Sequence, residues 1–161
     1  MIKATTYGDF NKVTQRLKKL KRIEAEYKAI MIQAGDITSA LISEIIRSNS
    51  IQMEALSSDY AEKKRKEGYS GNILVRTSQF VDNIRITEIR PESNGIHVKV
   101  SVPPIDTDTN ANLLEIAVFH EYGTKNMPAR RPIGKSWEKI EDKIRALLEN
   151  EIRAMLERAI R

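Results

Sequence analysis

Two histidines, His97 and His120, are the whole supply of imidazole in this chain, and cysteine is absent. A cysteine nucleophile, a thiolate metal site and a disulfide are therefore excluded. His120 sits in FHEYGT (Phe119–Thr124), which opens like the HExxH helix of a zinc protease, but the second histidine of that site belongs one turn on, where Thr124 stands. His97 falls on the polar face of an alternating segment, where an exposed side chain is expected. The run DTDTNAN (Asp106–Asn112) imitates the start of a calcium loop, with Asp106, Asp108 and Asn110 at alternate positions. Ala111 replaces the glycine of its sharp turn and Ala117 the bidentate glutamate at its end, so an ordinary polar loop is the better reading. No glycine-rich phosphate loop and no GxSxG elbow is present, and Glu115 and Glu121 read as surface carboxylates. No residue is nominated for catalysis, for a metal or for a cofactor; the expectation is a protein that is not an enzyme.

The elements that must carry these side chains follow from composition and periodicity. A chain of 161 residues with 40% hydrophobic and 30% charged residues suits one folded domain, and 6% aromatics imply a modest core. No apolar run approaches the ~20 residues of a bilayer span, and MIKATTYGDF lacks the apolar stretch of a signal peptide. Synthesis and assembly in a cytoplasm, without a membrane partner, are expected. The formal charge of +5 resides in residues 1–28, where Lys3, Lys12, Arg16, Lys18, Lys19, Lys21, Arg22 and Lys28 face only Asp9, Glu24 and Glu26. Such a run reads first as a solvated helix face; Lys12, Arg16, Lys18, Lys19, Lys21 and Arg22 are also the candidates for facing DNA phosphates.

From Asp9, a helix-capping residue, the residues Phe10, Val13, Leu17, Leu20, Tyr27, Ile30, Met31 and Ala34 recur at helical spacing. Gly35-Asp36 interrupts them, and Asp36 is placed to cap a second set (Ile37, Leu41, Ile42, Ile45, Ile46), predicting two helices or one kinked helix within 1–50. SSDYAEKKRK (Ser57–Lys66) predicts a short, exposed polar helix followed by a glycine turn. Period-two alternation at Ile84 and Ile86, then at Ile96, Val98, Val100 and Val102, predicts a hairpin within 79–102 that turns at PESNG, with Asn94-Gly95 supplying positive φ angles. Pro103-Pro104 ends it. LLEIAVFHEY (Leu113–Tyr122) fits a short helix or a strand, since ten residues do not separate the two periods, and the helix is the preferred reading. A long amphipathic helix from about Ser136 to the carboxyl terminus places Trp137, Ile140, Ile144, Leu147, Leu148, Ile152, Met155, Leu156 and Ile160 on one stripe. Burying that stripe is expected to stabilise the fold most, with Trp137→Ala costly. The predicted fold class is α+β: a small antiparallel sheet packed against long amino- and carboxyl-terminal helices.

Between these elements lies AVFHEYGTKNMPARRPIGKSW (Ala117–Trp137), with backbone driven towards extended geometry before each proline. In the order and spacing of His120, Glu121, Tyr122, Gly123 and Thr124, then Met127, Pro128, Ala129, Arg130 and Pro132, it resembles the phage virion morphogenesis family, the Mu-like and P2-like tail-completion proteins, and the related head–tail joining proteins. Upstream, Leu56, Ser57, Tyr60, Lys63, Leu74 and Thr77 fill further positions of that pattern. Arg131 is inserted, Ser78 stands where the family has Gly, and Ile133-Gly134 replaces a Phe-Leu pair.

The resemblance implies a structural virion protein in the neck or at the tail end. Copies would form a ring, a hexamer by analogy with the family, in contact with other neck, tail-tube or connector proteins; DNA in the channel is a further candidate partner, through the basic residues of the helical segment 12–28. It implies no cofactor. The strip His120–Thr124 and Met127–Pro132, Arg131 included, would form the subunit interface, so that deleting Gly123–Pro132 leaves a folded chain that does not assemble. The alternative is a basic nucleic-acid-binding module acting through residues 12–28.

Overall fold

The computed structural model describes residues 10–69, 74, 78–107 and 111–160. Its elements run α1 (Phe10–Arg47), α2 (Ser58–Lys66), α3 (Gln79–Asp82), β1 (Arg85–Glu92), β2 (Gly95–Ser101), α4 (Leu113–Tyr122) and α5 (Pro132–Ile160). The fold is α+β, with α1 and α5 packed on each other and a two-stranded antiparallel sheet against α1. Asp9, Thr77, Asp108 and Asn110 lie outside the described residues.

The sequence break at Gly35-Asp36 is not a break in the helix: α1 runs through it for 38 residues, a rod of about 57 Å at 1.5 Å per residue. Asp36 is inside the helix and caps nothing. Gly35 serves the packing instead. A Cβ there would meet Ile86 Cδ1 and Val98 Cγ1, each at 2.8 Å, so the missing side chain lets the hairpin settle on the helix.

The hairpin is shorter than expected at its start, because Gln79–Asp82 forms α3 and buries Phe80 and Val81. It is tighter at its turn. Pro91 and Glu92 are already paired, with Ile96 and Gly95, leaving Ser93-Asn94 as the loop. Of the Asn94-Gly95 pair only Gly95 has a positive φ. A register shift between Ile86 and Glu88 inserts one residue into β1, which keeps Ile86 and Ile89 on one face, opposite Val100 and Val98; Ile89, nearer the turn, is nevertheless 41% exposed.

Helix α5 begins at Pro132, four residues earlier than Ser136, with proline in a position where its missing N–H costs nothing. It runs antiparallel to α1. Lys139 and Lys135 donate to the carbonyls of Ser50 and Gln52 just past the end of α1, at 3.0 and 2.6 Å, while Arg158 pairs with Glu26 at the other end. The core gathers where α1, α3, α4 and the first half of α5 meet, around Ile42, Ile46, Phe80, Val81, Leu113 and Ile144. The predicted α5 stripe is thus covered only in part. Ile140, Ile144 and Met155 are buried, whereas Trp137 is 38% exposed, Leu156 48% and Ile160 83%. The costly truncations move from Trp137 to the two isoleucines.

Helix α2 is exposed as predicted except at Lys64, which is buried. By length and composition alone α1 could also cross a bilayer. In this fold its second half is the central core helix, with Ile30, Ala34, Gly35, Thr38, Ile42, Ile45 and Ile46 buried.

Candidate functional site: the strip between helices α4 and α5

The segment that carries the family-like pattern is a clasp joining two helices. Asn112 caps α4, its side-chain oxygen accepting from the N–H groups of Leu114 and Glu115 at 3.0 and 3.4 Å. The calcium-like loop is thereby the lead-in to a helix, closed by a bridge between Asp106 and Asn112. At the other end of α4, Gly123 terminates the helix with φ 78°. A Cβ on it would lie 2.8 Å from the Met127 carbonyl oxygen and 2.9 Å from the Ala129 nitrogen, so only glycine allows the chain to fold back this closely. Thr124 and Met127 then pair across a tight turn.

The returning chain is tied to α4. The carbonyl of His120 accepts the N–H groups of both Arg130 and Arg131, at 2.9 and 3.1 Å. The Arg130 guanidinium, on a residue only 5% exposed, donates to the carbonyls of Glu54 and Ala55 at 3.0 and 3.5 Å and approaches His120 Nδ1 at 3.4 Å. A guanidinium can only donate, so Nδ1 must accept and the imidazole proton belongs on Nε2. Phe80 meets the same ring edge-on, with centroids 6.4 Å apart. Burial first, and the Arg130 charge second, lower the His120 pKa from its usual 6.5 to about 4, so this histidine is neutral at pH 7.

Glu121 starts α5. Its two carboxylate oxygens accept from the N–H groups of Ile133 and Gly134 at 3.0 and 2.9 Å, filling donors that the first turn of a helix leaves open and placing a negative charge at the positive end of the helix dipole. Glycine at 134 has a local reason: a Cβ there would sit 2.6 Å from Glu121 Oε1. Arg131, the inserted residue, takes φ 52° rather than the extended backbone expected before proline, and its side chain pairs with Glu138 at 2.7 Å. Ser78, where the pattern has Gly, is likewise left-handed, at φ 59°. Both departures fall where the backbone has the conformation glycine tolerates best.

The predicted interface residues therefore divide. His120, Glu121, Arg130 and Pro132 are spent on contacts within the chain, with Arg130 and Pro132 buried. Tyr122 (79% exposed), Thr124, Pro128, Ala129 and Arg131 face outward, and Gly123 and Met127 lie between. Deleting Gly123–Pro132 would remove the Arg130 anchor, so the deletion would disrupt folding and cannot isolate assembly. Reasoning from sequence missed Val118 and Phe119, which are 44% and 47% exposed and share the outer side of α4 with Tyr122. Their signal was the nearly all-apolar composition of α4, too much for a helix with one covered face.

The remaining candidates lie apart from the clasp. Lys12, Arg16, Lys18, Lys19, Lys21 and Arg22 are all exposed on the first four turns of α1. His97 is on β2, half-buried, with Nδ1 3.8 Å from a Glu92 carboxylate oxygen. Among the described residues no three His, Asp or Glu side chains are grouped to hold a metal ion. No family model, curated protein or solved structure matches this chain.

Proposed function

We propose that the chain is a structural subunit of a tailed bacteriophage, a tail-completion or neck protein that closes with copies of itself into a ring of six, and carries out no reaction. One observation carries this reading. Large apolar side chains stand uncovered along three helices, a surface that suits contact with neighbouring copies. These are Val118, Phe119 and Tyr122 on α4, Leu156 and Ile160 on α5, and Phe10, Val13, Leu17 and Leu20 on α1.

In this reading the clasp has an indirect role. His120, Glu121 and Arg130 hold α4 and α5 in fixed relation, so that Val118, Phe119, Tyr122 and the outward half of the strip present a rigid face to another copy or to an adjoining neck, connector or tail-tube protein. Electron microscopy and light scattering of the purified protein, alone and with tail tubes, test the proposal. Rings that cap tubes are the expected result. A chain that stays monomeric at millimolar concentration and ignores tubes overturns it.

A second reading is favoured by one feature. The exposed start of α1 carries six cations and no carboxylate before Glu24, a pattern suited to phosphate. Lined along a ring's channel, it would touch DNA. Changing Lys18, Lys19, Lys21 and Arg22 to Glu should then abolish a salt-sensitive affinity for duplex DNA; unchanged binding would remove this reading.

A further inference from the structure

Helix α1 outruns its partner. The last turn of α5 lies beside residues 19–26, where Arg158 pairs with Glu26 and Ala159 shares a small cleft with Lys19, Arg22 and Ile23. Beyond that point α1 continues to Phe10 with every residue exposed. This overhang is nonetheless built like a core helix. Phe10, Val13, Leu17 and Leu20, each more than half exposed, follow at steps of three, four and three and fall within an arc of about 80° at 100° per residue. The same side of α1, further on, supplies Ala34, Thr38 and Ile42 to the interior.

A complementary surface lies on α5. Leu148, Ile152, Leu156 and Ile160, four residues apart, form an oblique row that lines an open groove of about 520 Å³. The row turns away from the buried Ile140 and Ile144. Its flanking charges are Arg145, Glu149, Arg153 and Glu157; Arg145 is tied to Glu141 at 2.8 Å, leaving two carboxylates against one guanidinium.

We infer that the α1 overhang of one copy docks on the Leu148–Ile160 row of the next copy. The inference rests on the ring reading above and names the contact that would build the ring. Charge selects this pairing over its rivals. Two overhangs laid together would bring Lys12, Arg16, Lys18, Lys19, Lys21 and Arg22 against the same six cations, whereas the row offers Glu149 and Glu157. Duplex DNA would engage the cations and leave Phe10, Val13, Leu17 and Leu20 in water. Joining two different surfaces of the same chain also makes a head-to-tail contact, the kind that repeats around a ring.

The test uses two full-length variants, Leu17→Asp and Leu156→Asp, each at an exposed position that the fold tolerates, with circular dichroism to verify helix content. Each variant alone should fail to form the wild-type ring, because one half of every contact carries a buried charge. Mixed in equal amounts, the two retain one intact overhang and one intact row and should form discrete one-to-one pairs by sedimentation. Rings that persist in either variant, or a mixture that forms no pairs, overturn the docking and leave the ring reading standing. A wild-type protein that is monomeric overturns both.

Discussion

The Arg130 guanidinium lies 3.4 Å from Nδ1 of His120, and the Arg130 backbone N–H donates to the carbonyl of that same histidine at 2.9 Å. Side chain and main chain thus close one joint between α4 and the strip leading to α5. Further donation to Glu54 and Ala55 extends the joint to the segment after α1. Replacing Arg130 with Ala should cost about 2–4 kcal/mol in urea unfolding, because a buried side chain is lost and the carbonyls of Glu54 and Ala55 lose their donor. Arg130→Lys should recover only part of that, since one ammonium cannot reproduce the planar fork.

Acidification should loosen the same joint. The folded pKa of His120, about 4, lies below its unfolded value near 6.5, so between those values the unfolded chain binds the extra proton. The stability contributed by neutral His120 is complete above pH 6.5, declines as pH falls towards 4 and is lost below it, a change of up to about 3 kcal/mol. In urea unfolding from pH 7 to pH 4, His120→Asn should show a flatter pH dependence than the parent. Parallel profiles would contradict this assignment.

Glu121 and Gly134 should behave as one unit. Glu121→Ala leaves two N–H groups at the start of α5 without their acceptor, at about 1–2 kcal/mol. Gly134→Ala pushes the same carboxylate aside, so the double variant should cost clearly less than the two single losses combined. Additive losses in thermal unfolding would refute the shared mechanism.

Gly35→Ala sets two effects against each other. Alanine gains about 1 kcal/mol in helix propensity, but its Cβ would lie 2.8 Å from Ile86 and Val98 side-chain carbons. Overpacking of this kind costs roughly 1–3 kcal/mol, and Val98, branched and short, has little room to yield. Net destabilisation of about 1 kcal/mol is expected in chemical unfolding, opposite to the usual sign at an exposed helical glycine.

Ser78→Gly should stabilise. Ser78 holds φ 59°, a conformation that costs a residue with a Cβ about 1–2 kcal/mol, and the greater freedom of glycine in the unfolded chain returns part of that gain. A rise of about 0.5–1 kcal/mol should appear as a modest upward shift in Tm.

Local rules were sufficient wherever an element depends on its own residues. The period of three and four from Phe10 onwards and the alternation from Ile96 to Val102 each specify their element, because backbone hydrogen bonding and side-chain direction repeat within a few residues. They failed where a distant neighbour decides the outcome. Gly35 looked like a helix end and is a seat for Ile86 and Val98, a contact made across more than fifty residues of chain. The α5 stripe looked like one buried face, yet the core covers Ile144 and leaves Ile160 in solvent. The motif His120–Pro132 was legible as a pattern, but periodicity carries no information on whether Arg130 points inward or outward. Only the fold decided that, by bringing the carbonyls of Glu54 and Ala55 to where a buried guanidinium finds its hydrogen-bond partners.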